Sequence, residues 1–171
     1  TGETLLSATG SVYDTLRTVA GTRGALGGTF ADYGIGYREV ALKNGEPDLP
    51  AIREAARQPG VRAVFIQRSR GYGDRKSLTS AEIGELCTLI KSINPEAAVI
   101  VDNCYGEFCQ ASEPTHHGAD LICGSLIKNP GGGLAPAGGY VAGRADLVEK
   151  AAYRLTVPGI GGECGASLGL N

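Results

Sequence analysis

The chain has 171 residues, 42% of them apolar, with a net charge of −2 from 16 basic and 18 acidic side chains. That is enough for one domain with its own core, and no basic tract points to nucleic acid or an anionic membrane surface as a partner. Apolar runs such as Ala97–Val101 are too short to span a bilayer, and no export signal opens the sequence.

The five cysteines (Cys87, Cys104, Cys109, Cys123 and Cys164) are odd in number and form no C-x-x-C pair, so a reduced, cytoplasmic protein is expected. The chain begins at Thr1, has no methionine and stops just after a glycine-rich stretch, so it reads as part of a longer protein. Its 27 glycines cluster where backbone must turn sharply or approach a ligand closely.

Short β-branched runs alternate with helical patterns. Glu3–Ala8 reads as a strand and Asp14–Ala20 as a helix, with Asp14 as its expected N-cap. A strand is expected at Tyr37–Leu42, a helix at Pro50–Arg57 stopped by Pro59-Gly60, and a strand at Val61–Gln67. Thr79-Ser80-Ala81-Glu82 matches a capping box, and Ile83, Leu86, Cys87 and Ile90 then share one helical face up to Asn94-Pro95. Ala98–Val101 is a wholly apolar strand of the kind covered on both faces. Strands at Ala119–Cys123 and Gly139–Ala142 and a helix at Arg144–Arg154 follow. Repeated β-α-β units predict a three-layer α/β/α domain on a mostly parallel sheet, with ligands outside the carboxyl ends of its strands.

Two loops at strand ends carry the chemistry. In Val-Ile-Val-Asp102-Asn-Cys-Tyr-Gly-Glu an aspartate follows a buried strand, and in Gly124-Ser125-Leu-Ile-Lys128-Asn-Pro-Gly-Gly-Gly a lysine follows another. Pyridoxal 5'-phosphate (PLP) needs this pair. A lysine must hold the cofactor as an imine, and burial or neighbouring cations lower its pKa for that task. A carboxylate must keep the pyridine nitrogen protonated. Ser125 and the glycine-rich turns offer a hydroxyl and backbone amides to the phosphate. Singly, each residue has an ordinary explanation: a lysine in such a loop is usually a solvated charge, and an aspartate after a strand is usually a turn or cap.

Metal and nucleotide readings fare worse. Gly71-Tyr-Gly-Asp-Arg-Lys-Ser lacks P-loop spacing, and no strand leads into Gly161-Gly-Glu-Cys-Gly. The adjacent His116 and His117 have no second spaced pair, so no metal site is expected.

Ile66-Gln-Arg-Ser-Arg-Gly-Tyr, Val101-Asp-Asn-Cys-Tyr-Gly-Glu-Phe, Gly124-Ser-Leu-Ile-Lys-Asn-Pro-Gly-Gly-Gly-Leu-Ala-Pro and Leu155-Thr-Val-Pro-Gly-Ile-Gly together resemble one family. It is the methionine γ-lyase-related group, often named aluminium-resistance proteins, among the fold-type-I PLP enzymes. The resemblance implies that residues 1–171 are part of the large PLP-binding domain, with an N-terminal segment and a small C-terminal domain outside them. It makes Lys128 the Schiff-base lysine, Asp102 the pyridinium partner, Ser125 a phosphate ligand and Tyr13 the ring that stacks on the cofactor. Val12 stands where the family usually has proline. Gln67 and Arg68 end a strand at the same edge and are further candidates to face the cofactor. The implied activity is a carbon–sulfur lyase of cysteine or methionine metabolism, acting on a small amino acid as a homodimer or homotetramer. Aminotransferase or aldolase chemistry, or a non-catalytic stress-related binding role, are the alternatives. The substrate is not readable, because related enzymes grip its carboxylate with an arginine of the small domain.

Overall fold

The computed structural model describes residues 2–24 and 27–161; the Gly162–Gly165 part of the glycine-rich tail, with Cys164, lies outside them. Among the described residues six strands form one sheet: β1 (Thr4–Ser7), β2 (Gly36–Glu39), β3 (Val61–Gln67), β4 (Ala98–Asp102), β5 (Leu121–Ser125) and β6 (Gly139–Gly143). Their order is β2-β1-β3-β4-β5-β6. All pairs are parallel except β5 with β6, which runs antiparallel from Leu121↔Gly143 to Ser125↔Gly139.

The helices are α1 (Asp14–Ala20), α2 (Leu49–Ala56), α3 (Ser80–Ile93) and α4 (Ala145–Leu155). The expected capping box is present at α3: Thr79 accepts the Glu82 N–H, and Glu82 accepts the Thr79 N–H at 2.8 Å. Ile83, Leu86, Cys87 and Ile90 are buried as their spacing predicts, each large side chain contributing about 1.5–3 kcal/mol of apolar burial. Asn94 ends the helix and donates to the carbonyls of Ala56 and Val61, tying α3 to α2 and β3. The expected cap at α1 differs. Tyr13 holds the N-cap position with no side-chain bond, while Asp14 lies inside the first turn and pairs with Arg23.

The core lies between the sheet and the α2–α3 layer. β4 shows why the two faces differ: Val99 and Val101 are fully buried, whereas Ala98, Ile100 and Asp102 are half-buried. The right-handed crossover rule sends α2 and α3 to one face and α1, which connects in the opposite direction, to the other. With seven residues and Ala20 alone buried, α1 covers its face thinly.

Asp120, just before β5, fastens the amino-terminal end of the sheet. Its carboxylate accepts the Val99 N–H at 2.7 Å and pairs with Lys91 at 2.7 Å and Arg144 at 3.1 Å. Burial pushes this carboxyl up, but Lys91, the Val99 amide and Arg144 outweigh it and hold it below its ordinary range.

The chain runs outward from β1 to β2, then returns across β1 to β3. At that reversal the loops leaving β1 and β3 diverge in opposite directions and open a crevice at the carboxyl edge.

Candidate active site

Loops from the carboxyl ends of β1, β3, β4 and β5 meet at a pocket of about 170 Å³, whose walls include Tyr13, Gln67, Asp102, Cys104, Tyr105 and Lys128. Three of the four expected site residues are thus together. Ser125 is not on the pocket wall: it pairs with Gly139 of β6, and its carbonyl accepts the Lys128 N–H at 3.3 Å.

Asp102 is placed by strand register, between Gln67 on β3 and Cys123 on β5. One carboxylate oxygen accepts the Cys104 N–H at 3.0 Å, which turns the chain sharply as it leaves the sheet.

Lys128 leads into a 3-10 turn at Asn129–Gly131. A Cβ at Gly131 would collide with the Leu126 carbonyl, so this tight return requires glycine. The Gly132 amide donates to the carbonyls of Lys128 and Asn129 at 3.2 Å, and is spent inside the loop rather than offered to an anion. Asn129 donates to the Glu107 carbonyl at 3.3 Å and fastens the lysine loop to the loop after β4.

The Lys128 ammonium lies 4.5 Å from the centre of the Tyr105 ring. Burial pulls this amine down, but Cys104, Tyr105 and Asp102 outweigh it and leave its pKa above the ordinary lysine value. This corrects the expectation of a lowered pKa. The groups around the amine are a thiol, an aromatic ring and a carboxylate, with no cation among them. The Cys104 thiol is itself pushed up by burial and by Asp102, so near neutrality it is uncharged.

Gln67 is 5% exposed and ties two loops together. Its side-chain oxygen accepts the Tyr13 N–H at 2.8 Å and its amide nitrogen donates to the Ser69 carbonyl at 3.1 Å. The Tyr13 and Tyr72 ring centres lie 5.9 Å apart with planes tilted by 35°. Both rings also border a neighbouring cavity of about 300 Å³ that contains Arg70.

Arg68 does not face the pocket centre. Its guanidinium is buried and donates to the Leu78 carbonyl, Asn103, Gln110 and Glu113 at 2.6–3.3 Å. Gly106 sits directly on this guanidinium, with no room for a Cβ. His116 and His117 are engaged locally, His117 with Ser112 at 2.7 Å and His116 with the Glu113 backbone. Sequence reasoning missed Tyr105, Tyr72 and the holding role of Gln67. Tyr105 had a readable signal, being in the same short loop as Asp102 and next to a glycine.

A family model described as methionine gamma-lyase matches residues 1–171. The chain belongs to the methionine gamma-lyase family. Among relatives of this methionine gamma-lyase family chain, the Bacillus subtilis protein YnbB is 51% identical over 169 residues, which cover 98% of this chain and 40% of YnbB. A solved structure named as a carbon-sulfur lyase involved in aluminium resistance, from Clostridium novyi, is 48% identical with a TM-score of 0.90. The match covers 96% of this chain and 39% of that one. The pyridoxal-5'-phosphate-dependent protein YhfS from Escherichia coli shares the fold with a TM-score of 0.64 at 18% identity, over 90% of this chain and 36% of its own. The chain therefore spans about 40% of the length of the curated relative YnbB.

Proposed function

We propose that residues 1–171 form part of the cofactor-binding domain of a PLP-dependent carbon–sulfur lyase, with Lys128 holding the cofactor. The observation that carries this reading is the convergence of Lys128, Asp102 and Tyr13, from two loops and the end of β4, on one pocket at the carboxyl edge of the sheet. The donor set fits PLP: a primary amine for its aldehyde, a carboxylate for its ring nitrogen and an aromatic face for its ring. The family description and the name of the Clostridium novyi protein support carbon–sulfur chemistry.

When bound, PLP supplies a ring that takes up electrons from the substrate's α-carbon. Asp102 keeps a proton on the ring nitrogen, and its negative charge is what makes that protonation favourable. Tyr13 offers its ring face and keeps its place through Gln67. Lys128 would hold the cofactor and, when its amine is free, would move a proton from the substrate's α-carbon and to the departing sulfur. Ser125, at the end of β5 and three residues before Lys128, would offer its hydroxyl to the phosphate. The substrate is an amino acid with sulfur on its β- or γ-carbon.

Borohydride treatment of the full-length protein with PLP tests the reading. Reduction should fix the cofactor on the peptide containing Lys128, and a label on Lys43, Lys76, Lys91 or Lys150 would overturn it. A keto acid, ammonia and a thiol as products would establish the lyase. Accumulation of the cofactor's amine form, restored by a keto acid, would make the enzyme an aminotransferase.

A further inference from the structure

The loop after β4 contains two bulky residues at positive φ, Tyr105 and Phe108, and of these Tyr105 borders the pocket. The Gly106 N–H donates to the Asn103 carbonyl at 2.8 Å, closing a tight turn in which Tyr105 has φ +68°. Glycine or asparagine suits that position, and a bulky side chain there is a genuine outlier. The glycine of this turn falls one residue later, where the Arg68 guanidinium leaves room for nothing else. Core packing does not explain Tyr105, whose side chain is 60% exposed.

What the conformation achieves is a contact. It brings the Tyr105 ring to the pocket wall with its centre 4.5 Å from the Lys128 nitrogen. The face of an aromatic ring is negative and attracts an ammonium, the more so in a partly desolvated site. Backbone strain that is retained beside a reactive group, with no packing return, points to a functional role.

We propose that Tyr105 is a positioning residue whose ring holds the Lys128 ammonium at the pocket wall whenever that amine is not joined to the cofactor. The proposal rests on Lys128 being the cofactor lysine. A released lysine is a long, mobile cation that would otherwise swing into solvent, and proton transfer requires it to stay. The groups facing it are Cys104, Tyr105 and Asp102, with Tyr13 and Tyr72 on the remaining wall.

Tyr105→Leu removes the ring, and Tyr105→Phe keeps it. In the full-length protein freed of PLP, acetylation of Lys128 by limiting acetic anhydride is followed against pH by mass spectrometry, with the exposed Lys150 as internal reference. The Leu variant's profile should move to lower pH by roughly half a pH unit or more, because the charged amine has lost its partner. The Phe variant should keep the parent profile. With PLP restored, the Leu variant should lose kcat several-fold with little change in KM. A Leu profile superimposable on the parent, or a Phe profile displaced as far as the Leu one, would overturn the proposal. Tyr105→Gly tolerates the same φ and stands in if the Leu variant does not fold. Failure of the function reading is seen separately, as cofactor fixed on another lysine, while the acetylation profile still reports on the ring contact.

Discussion

Asp102 gives one carboxylate oxygen to the Cys104 N–H. Asn at this position retains a side-chain oxygen for that bond and removes only the charge. Asp102→Asn should therefore leave the thermal midpoint nearly unchanged and still allow PLP to attach at Lys128. Turnover should fall by more than tenfold, about 1.4 kcal/mol in the barrier, as the ring nitrogen loses its counter-charge. A smaller loss in steady-state assays would remove Asp102 from its proposed role. Asp102 and Lys128 were legible in sequence because each follows an apolar strand, and strand ends in a parallel sheet share an edge. What Lys128 touches was not legible. Its Tyr105 contact depends on one positive φ, and the direction of its pKa shift depends on which groups three loops bring alongside. Arg68 adjoins Gln67 in sequence, yet the alternation of a strand turns their side chains apart. One holds the pocket loops, and the other is buried among Asn103, Gln110 and Glu113.

At the level of elements, α3 is set by its cap. Thr79→Ala removes the hydroxyl that accepts the Glu82 N–H and should cost about 1 kcal/mol in urea unfolding at neutral pH. The Glu82 carboxyl is held down to about 2 by the Thr79 backbone amide first, then by Lys76. A depressed carboxyl contributes stability that is complete above its ordinary value and lost as pH falls toward its folded one. The cap should thus weaken from about pH 4.5 down to about 2, and Glu82→Gln should flatten that acid limb of the stability curve. An unchanged limb would mean that another carboxylate governs it. Helices with a cap and a periodic face were read from sequence almost to the residue: α3 is as expected, cap included, and α1 differs by its capping residue alone. Strand ends were read less well. β2 stops at Glu39 rather than Leu42, and β5 runs on to Ser125, because pairing length is decided by the neighbouring strand. The reversal at β6 has no sequence period to announce it, since side chains alternate identically in parallel and antiparallel strands.

Across the whole molecule, stability is unevenly distributed. β3 and β4 lie inside the sheet and supply Val64, Ile66, Val99 and Val101 to a core that α2 and α3 seal. α4 buries no residue completely, and α1 buries Ala20 alone. Hydrogen exchange followed by mass spectrometry should find the slowest amides in β3 and β4 and much faster exchange in α1 and α4. Equal protection of α1 and β4 would show that the thinly covered face is sealed as well as the other. The amino-terminal end of the sheet is clamped by Asp120 and Asn94, whereas the loops at the opposite end are glycine-rich and bear the pocket. Local opening should therefore begin at the pocket end, and the fold can keep its core while the site adjusts.

Gly106, lying on the guanidinium of Arg68, separates two kinds of selective pressure. Four groups pin that guanidinium, so it cannot withdraw to admit even a methyl group. In a library screened only for folded protein, position 106 should reject every alternative, while Asp102 and Lys128 should vary widely. Screening the same library for turnover should then restrict Asp102 and Lys128 as well. The five-residue run from Asp102 to Gly106 would prove to be written by two authors, with catalysis dictating its first letter and steric exclusion its last.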